Sequence, residues 1–77
     1  MKESDLTLDK LPPQNIEAEQ SVLGAILLDN NALYTAFELI TQEDFYKDSN
    51  RKIFIAMTEL LEKNEPIDII TLTNHLR

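Results

Sequence analysis

Apolar residues recur every three or four positions along most of this chain, and this spacing constrains the fold more than any other feature. The stretch NIEAEQSVLGAILLD, residues 15–29, carries such a stripe, formed by Ala18, Val22, Leu23, Ala25, Ile26 and Leu27. Asn15 precedes the stripe as an N-cap, and Glu17 and Glu19 fall in the first turn, where negative charge suits the helix dipole. The stretch therefore predicts an amphipathic helix.

The same spacing predicts three further helices. The second follows Asp29-Asn30-Asn31 and has the apolar set Leu33, Ala36, Phe37 and Ile40. The third is capped by Asp48, Ser49 or Asn50, stops before Pro66, and has the set Ile53, Phe54, Met57, Leu60 and Leu61. The fourth is capped by Asp68 and has the set Ile69, Leu72, Thr73 and Leu76. Between the second and third, Thr41-Gln42-Glu43-Asp44 predicts one turn with a capping box, after which Phe45 and Tyr46 point inward.

These elements predict an all-α fold: a small orthogonal or bundle-like head of about four main helices, with no sheet. The head takes residues 15–77, and residues 1–14 form a flexible or extended lead-in, because Pro12-Pro13 disfavours a helix there. The β-branched run IDIITL leaves a strand open as an alternative for the last element. The predicted packing residues are Val22, Leu23, Gly24, Ile26, Leu27, Leu33, Phe37, Phe45, Phe54, Met57, Leu61 and Leu72.

The chain has one glycine, Gly24, in the middle of the first predicted helix. A glycine in a helix interior costs about 1 kcal/mol relative to alanine, so its presence calls for a reason. A helical wheel places Gly24 at the edge of the apolar face. We therefore expect another helix to cross closely there, and Gly24→Leu to destabilise the domain.

The charge of the chain argues against direct contact with nucleic acid. The net charge is −7, and residues 1–45 carry all of it, with two Lys against nine Asp and Glu. Because DNA and RNA are polyanions bound mainly through basic side chains, this acidic half should repel them. No apolar run approaches the roughly 20 residues that cross a bilayer, and the acidic N-terminus lacks a signal-peptide core. A soluble protein with a protein partner is therefore expected.

Several kinds of catalytic and binding site are excluded by residue type alone. A phosphate-binding loop or a dinucleotide fingerprint needs several glycines, and this chain has one. One His and no Cys exclude the usual structural zinc sites. The carboxylate pairs (Glu17 and Glu19, Glu43 and Asp44, Glu62 and Glu65) lie where capping or solvation already explains them. We predict no catalytic, cofactor-binding or metal-binding residue.

The candidate contact residues are charged or polar side chains that face away from the apolar stripes. Glu17 and Gln20 either contact a partner or are simply solvated. Lys47, Arg51 and Lys52 form a small basic cluster, which is either a partner contact or a solvated helix end paired with Asp44 or Asp48. His75, near the end of the last helix, is expected to face solvent.

Three stretches of the sequence, in this order, resemble the N-terminal domain of the DnaB family of bacterial replicative DNA helicases. They are PPQNIEAEQSVLGAILLDNNAL, EDFYKDSNRKIFIAM and LLEKNEPIDIITL, and the resemblance runs from Leu11 to Arg77. One departure stands at Asp48-Ser49-Asn50-Arg51, where the family often has Pro-x-His-Arg. It leaves the fold intact but puts in doubt any contact made by a His in place of Asn50.

The resemblance implies a non-catalytic assembly and primase-docking domain of a hexameric, ATP-driven helicase that acts in DNA replication as part of the primosome. In this family a helical head is followed by a helical hairpin, and then by a motor domain with a P-loop that uses ATP and Mg²⁺. The implied partners are the C-terminal helicase-binding domain of primase and the other subunits of the hexamer, without membrane or direct DNA contact. The implied location is the bacterial cytoplasm, at the nucleoid through the longer protein.

The last predicted helix still has its apolar pattern at Arg77, without a Gly or Pro stop signal. We therefore expect the chain to be the head alone, cut before the hairpin and the motor. The alternative is a free-standing helical adaptor for protein–protein contacts that is unrelated to a helicase.

Overall fold

A computed structural model describes residues 15–77, which form four α-helices and one short 3₁₀ turn without any strand. The helices are α1 (Ile16–Leu28), α2 (Ala32–Leu39), α3 (Asp48–Glu62) and α4 (Ile69–Leu76), and the 3₁₀ turn spans Gln42–Asp44. This confirms the predicted all-α fold and excludes the strand alternative for IDIITL. The predicted lead-in, residues 1–14, lies outside the described residues.

Two of the predicted helix starts use the expected side chains. The Asn15 Oδ1 atom accepts a hydrogen bond from the backbone N–H of Ala18 at 2.9 Å, at the start of α1. At the start of α4, Asp68 Oδ1 accepts from the Thr71 N–H at 2.8 Å, and Thr71 Oγ1 accepts from the Asp68 N–H at 2.9 Å. This reciprocal pair favours a helix over a strand at Ile69, because it satisfies two backbone donors at once.

The start of α3 differs from the prediction, and the start of α2 agrees with it in part. No side-chain cap bond is made at the start of α3. At the start of α2, Asp29 Oδ1 accepts a hydrogen bond from the Asn31 N–H at 3.0 Å, while the Asn31 side chain makes no cap bond. At α2, Asn30 instead contacts a distant loop: its Nδ2 donates to the Ile67 carbonyl and its Oδ1 accepts from the Ile67 N–H, both at 2.9 Å. At α3, a carboxylate from α1 takes the place of the local cap, as described below.

One apolar core lies among the helices, with α1 and α4 each packed against α3 and α2 packed against α1. Among the predicted packing residues, eight are buried in it: Val22, Leu23, Ile26, Leu33, Phe45, Phe54, Met57 and Leu72. Leu27 and Leu61 are partly buried against the same core. The rings of Phe45 and Phe54 pack against each other with their centroids 5.0 Å apart and their planes tilted by 34°.

Phe37 is less buried than predicted. The inward face of this part of the chain consists of Leu33, Ala36 and Ile40, and Phe37 lies beside that face with 44% of its surface exposed. It contacts Phe54 edge-on, with ring centroids 6.0 Å apart. Its spacing of four from Leu33 fits the apolar pattern, but at about 100° per residue it lies at the edge of the face that Leu33, Ala36 and Ile40 bury.

Gly24 does not mark a close helix crossing, and this prediction was wrong. A Cβ atom built on Gly24 meets no atom of the described residues within 4 Å. Gly24 faces an open groove between helices instead of another backbone. The helical wheel correctly placed it at the edge of the apolar face, but that edge is not covered in the structure.

Candidate partner-docking surface

A buried carboxylate organises the end of the molecule that carries most of the candidate contact residues. Glu19 is completely buried, and its side chain accepts three hydrogen bonds. The donors are the backbone N–H of Tyr46 at 2.6 Å, the backbone N–H of Lys47 at 3.3 Å and the Asn50 side-chain amide at 3.0 Å. Glu19 therefore fixes the segment before α3 against α1.

The position of Glu19 explains how α3 begins without a cap of its own. The carboxylate bonds to the two residues before Asp48, so its negative charge lies at the positive end of the α3 dipole. Asn50 is itself buried and uses its amide to reach Glu19, so it is not a local cap. Glu19 is thus buried, contrary to the expectation from the sequence that local capping or solvation accounts for its carboxylate.

The sequence contains a signal for Glu19 and Asn50 that the prediction missed. Glu19 lies three, four and seven positions before the buried Val22, Leu23 and Ile26, so it belongs to the apolar stripe of α1. Asn50 stands in the same relation to Ile53, Phe54 and Met57 of α3. A single polar residue inside each of two apolar stripes is the pattern expected of a buried hydrogen-bonded pair.

Arg51 has a structural contact as well as a surface charge. Its guanidinium donates to the Phe45 carbonyl at 2.9 Å and lies 3.7 Å from the Asp48 carboxylate. Glu19 accepts hydrogen bonds from the N–H groups of Tyr46 and Lys47, and Arg51 donates one to the Phe45 carbonyl. The two side chains together fix residues 45–47. In this segment Phe45 points into the core, whereas Tyr46 is 61% exposed, contrary to the inward orientation expected for it.

Lys47 and Lys52 are exposed. The Lys52 ammonium lies 3.3 Å from the Asp48 carboxylate, one helical turn away, and both side chains are open to solvent. Such an exposed pair contributes little to stability, on the order of 0.3–0.5 kcal/mol. The predicted pairing with Asp48 is therefore observed, and Lys52 remains accessible to a partner.

The structure brings two of the candidates to neighbouring positions. Gln20 is exposed on α1 next to the buried Glu19 and lies near Asn50 of α3, while Glu19 bonds to the backbone of Lys47. Gln20 and Lys47 therefore lie beside the joint between the starts of α1 and α3, whereas Glu17, two residues before Glu19, faces the opposite side of α1. Lys52 lies further along α3, beside a shallow depression that it shares with Glu59 and His75.

His75 is not simply solvent-facing as predicted. Its Nε2 atom lies 2.7 Å from a carboxylate oxygen of Glu59, and the imidazole is mostly covered. This contact joins α4 to α3 near the end of the chain.

An open apolar groove of about 400 Å³ lies between α1 and α4, with α3 at its base. Its apolar lining comes from Leu23 and Leu27 of α1, Ile53 of α3, and Ile69 and Leu72 of α4, and Gly24 leaves its wall without a side chain. Gln20 and Asn50 lie at the same groove, which connects it to the α1–α3 joint.

Among residues 15–77, no group of three or more His, Asp or Glu side chains is arranged to hold a metal ion. None of the four helices is long and apolar enough to cross a membrane.

Comparison with known proteins identifies the family of this chain. The family model described as the DnaB-like helicase N terminal domain matches residues 11–77. This chain belongs to that family. The predicted resemblance, which began at Leu11, is thereby confirmed.

The curated relatives of this DnaB-family chain are replicative DNA helicases. The chain is 52% identical over 73 residues to "Replicative DNA helicase DnaC" of Bacillus subtilis and 48% identical over 73 residues to "Replicative DNA helicase DnaB" of Geobacillus stearothermophilus. It is 47% identical over 68 residues to the DnaB helicase of Treponema pallidum. The first two alignments cover 95% of this chain and the third covers 88%.

The chain spans only 16% of the length of each of these three helicases. It corresponds to the N-terminal domain, and the helicase motor is not in this chain.

Proposed function

We propose that this chain is an assembly and primase-docking domain of a hexameric replicative DNA helicase that acts in DNA replication. The observation that carries the proposal is the 52% identity to a replicative DNA helicase over 95% of the chain. The net charge of −7 supports a role in protein contact, since an acidic chain is poorly suited to bind DNA, which is a polyanion.

The surface around the α1–α3 joint is the proposed contact region. Gln20 and Lys47 are exposed there, Lys52 is exposed further along α3, and Glu17 is exposed on the other side of α1. Glu19 holds the underlying backbone in place with three hydrogen bonds. A rigid surface loses less conformational entropy on binding, which favours its use as a docking site.

The longer protein in this proposal supplies what this chain lacks. Its motor domain binds ATP and Mg²⁺ through a P-loop and unwinds DNA, and its helical hairpin pairs subunits within the hexamer. Residues 15–77 form the head that precedes the hairpin. The proposed partners are the C-terminal domain of primase and neighbouring helicase subunits, in the bacterial cytoplasm at the nucleoid.

A titration of the 77-residue chain with the C-terminal domain of primase from the same organism tests the docking role. We expect the amide NMR signals of residues around the α1–α3 joint to shift. Lys47→Glu combined with Lys52→Glu should weaken binding about tenfold, because in the proposed contact both exposed ammonium groups face acidic side chains of primase. Arg51 stays unchanged in this variant, since its bond to the Phe45 carbonyl makes it part of the fold.

Lys63→Glu is the matched control, because Lys63 is an exposed lysine at the opposite end of α3. Thermal melts should show all the variants folded. Binding that is unchanged in the double variant, or reduced equally by Lys63→Glu, would remove the basic residues from the contact. Dispersed signals that do not shift at any primase concentration would contradict primase docking by this head.

Family membership and 52% identity to a replicative DNA helicase argue against the alternative, a free-standing helical adaptor unrelated to a helicase motor. Sequencing the complete gene tests the proposal further. A P-loop motor encoded downstream supports it, and a gene that ends without one contradicts it.

A further inference from the structure

The groove between α1 and α4 is apolar and uncharged, and the described residues leave it uncovered. Its lining includes no Lys, Arg, Asp or Glu. Ile69 and Leu76 line it and are 66% and 48% exposed, respectively, while Leu23 and Leu72 belong to the core. Covering the groove would therefore bury a continuation of the core without removing a lining charge from water.

The groove runs along α1 from the end at which residues 1–14 join the described domain. Its lining residues on α1 recur at helical spacing, and they are Gln20, Leu23, Gly24 and Leu27. The same stripe reaches back to Ile16, the first residue of α1, four positions before Gln20. The chain therefore enters α1 at one end of this stripe, which places residues 1–14 next to the groove.

The sequence of residues 5–9, Asp-Leu-Thr-Leu-Asp, alternates polar and apolar side chains. In an extended segment successive side chains point to opposite faces, so Leu6 and Leu8 share one face and both carboxylates lie on the other. Such a segment presents two leucines to an apolar surface and keeps its charges in solvent. This arrangement suits a groove whose lining contains no charge.

The length of chain between these leucines and α1 also fits the groove. Pro12 and Pro13 favour an extended conformation of about 3.1 Å per residue, so the chain from Leu8 to Asn15 spans about 22 Å. Along α1, Asn15 and Leu27 are about 18 Å apart, at 1.5 Å per residue. Leu8 can therefore reach any point along the α1 wall. A tethered segment has an effective concentration on the order of mM, so weak apolar contacts suffice to hold it.

Two features of the groove suit an extended backbone better than a helix. A helix satisfies its own backbone groups, whereas an extended segment needs partners for its N–H and C=O groups. Gln20 and Asn50 offer side-chain amides at the groove, and the described hydrogen bond of Asn50 uses only its amide nitrogen. A Cβ atom on Gly24 would meet nothing within 4 Å, so the glycine leaves the α1 backbone open to close approach by a second backbone.

We propose that residues 5–9 of this chain lie in the groove as an extended segment antiparallel to α1. Leu6 and Leu8 contact the apolar lining, which includes Leu27, Ile53 and Leu72. The chain thereby covers its own exposed apolar surface, and any protein that uses the groove must first displace this segment.

This inference does not depend on the proposed docking of primase. The primase test changes Lys47 and Lys52, which do not line the groove, and the variants below leave both unchanged. Either proposal can therefore fail while the other stands.

The test measures paramagnetic broadening in the 77-residue chain. The chain has no Cys, so Thr7→Cys provides a single attachment point for a nitroxide spin label. Thr7 lies between the two leucines and faces away from them in an extended segment, so the label does not replace their contacts. We expect the amide signals of Gly24 and Thr73 to lose most of their intensity. Those of Gln42 and Glu43, which line a different part of the surface, should be affected much less.

Two double variants of the labelled chain test the role of the leucines. Leu6→Ser combined with Leu8→Ser should restore the intensity of the Gly24 and Thr73 signals, because it removes both apolar anchors. Asp5→Asn combined with Asp9→Asn is the matched control. It changes two side chains of the same segment that face away from the groove, and it should leave the broadening in place. All four substitutions lie outside residues 15–77, so the described domain keeps its sequence.

Two further variants of the labelled chain test the location. Gly24→Leu fills the groove and should restore the intensity of the Thr73 signal. Ala25→Leu adds the same side chain one residue further along α1, at an exposed position outside the groove, and should leave the broadening unchanged. Circular dichroism melts should show both variants folded.

The proposal is overturned if the spin label leaves the Gly24 and Thr73 signals sharp, or if the serine and asparagine variants broaden them equally. Equal effects of Gly24→Leu and Ala25→Leu would also overturn it. A mixed sample distinguishes a second copy of the chain as the source of the segment. In that sample, one chain carries the nitroxide and a second, isotope-labelled chain without it supplies the signals. Broadening of Gly24 and Thr73 there would overturn the contact within one chain in favour of a contact between two copies.

Discussion

The Glu19 carboxylate is completely buried, yet none of its described hydrogen bonds comes from the side chain of a Lys or Arg. Burying a charge is costly unless it is paired or fully hydrogen-bonded. Two backbone N–H groups, the Asn50 amide and the start of α3 together provide that compensation. Because these donors lie 27 to 31 residues away in sequence, Glu19 links distant parts of the chain.

Glu19→Gln should lower the free energy of unfolding by about 2 kcal/mol, because hydrogen bonds to a charged group are stronger than those to a neutral one. The glutamine NH₂ group would also face an N–H donor that the carboxylate now satisfies. Urea unfolding followed by circular dichroism measures the change. Glu17→Gln is the matched control, since Glu17 is exposed in the same helix turn, and it should change stability by less than about 0.5 kcal/mol.

Equal unfolding midpoints for Glu19→Gln and the unsubstituted chain would show that the charge of Glu19 does not contribute to the fold. The amide signals of Tyr46 and Lys47 give a second measurement. Both should shift in Glu19→Gln and remain in place in Glu17→Gln, because only Glu19 bonds to those two N–H groups.

At the scale of helices, the end of α3 shows how one residue directs the chain into the next element. Asn64 has a φ of 58°, in the left-handed region, directly after the C-cap residue Lys63. The Asn64 N–H donates to the Leu61 carbonyl at 3.0 Å, and the Glu65 N–H donates to the Leu60 carbonyl at 3.0 Å. This is a Schellman motif, which satisfies two carbonyl groups that the helix leaves free.

Asn64→Gly should raise the free energy of unfolding by about 0.5–1 kcal/mol, because glycine adopts a positive φ without the steric cost of a Cβ atom. Asn64→Ala should lower it by about 1 kcal/mol for the opposite reason. Lys63→Gly is the matched control, since Lys63 has a φ of −88° and gains nothing from glycine. A lower melting temperature for Asn64→Gly than for Asn64→Ala would contradict this account.

The helix periods could be predicted from sequence, while the contacts between helices could not. Apolar spacing and the Asn15 and Asp68 caps are local, and these correctly predicted α1 and α4. The bond between Asn30 and Ile67 spans 37 residues, so no local pattern contains it. Gly24 was misinterpreted for a related reason: a wheel shows which face is apolar, but not whether another element covers it.

At the scale of the whole molecule, unbalanced charge is the main long-range force. The chain carries 14 acidic and 7 basic residues. Among residues 15–77, the ion pairs are two exposed contacts to Asp48, made by Arg51 and Lys52. Exposed pairs of this kind are weak, so most of the net negative charge acts as repulsion within the folded state.

Salt should therefore stabilise the chain. The described domain measures 35 × 23 × 17 Å, and the screening length is about 30 Å at 10 mM salt and about 8 Å at 150 mM salt. At the lower concentration each acidic group is repelled by most of the others, and at the higher one only by its neighbours. We expect the free energy of unfolding in urea to rise by on the order of 0.5–1 kcal/mol from 10 to 150 mM NaCl.

A charge variant tests this origin of the salt effect. Glu38→Gln combined with Glu62→Gln removes two exposed negative charges from separate helices and leaves a net charge of −5, compared with −7 for the unsubstituted chain. The variant should be more stable at 10 mM NaCl and should gain less from added salt, because less repulsion remains to be screened. A decrease in stability with salt, or the same salt response in both proteins, would instead indicate that the few attractive ion pairs outweigh the net charge.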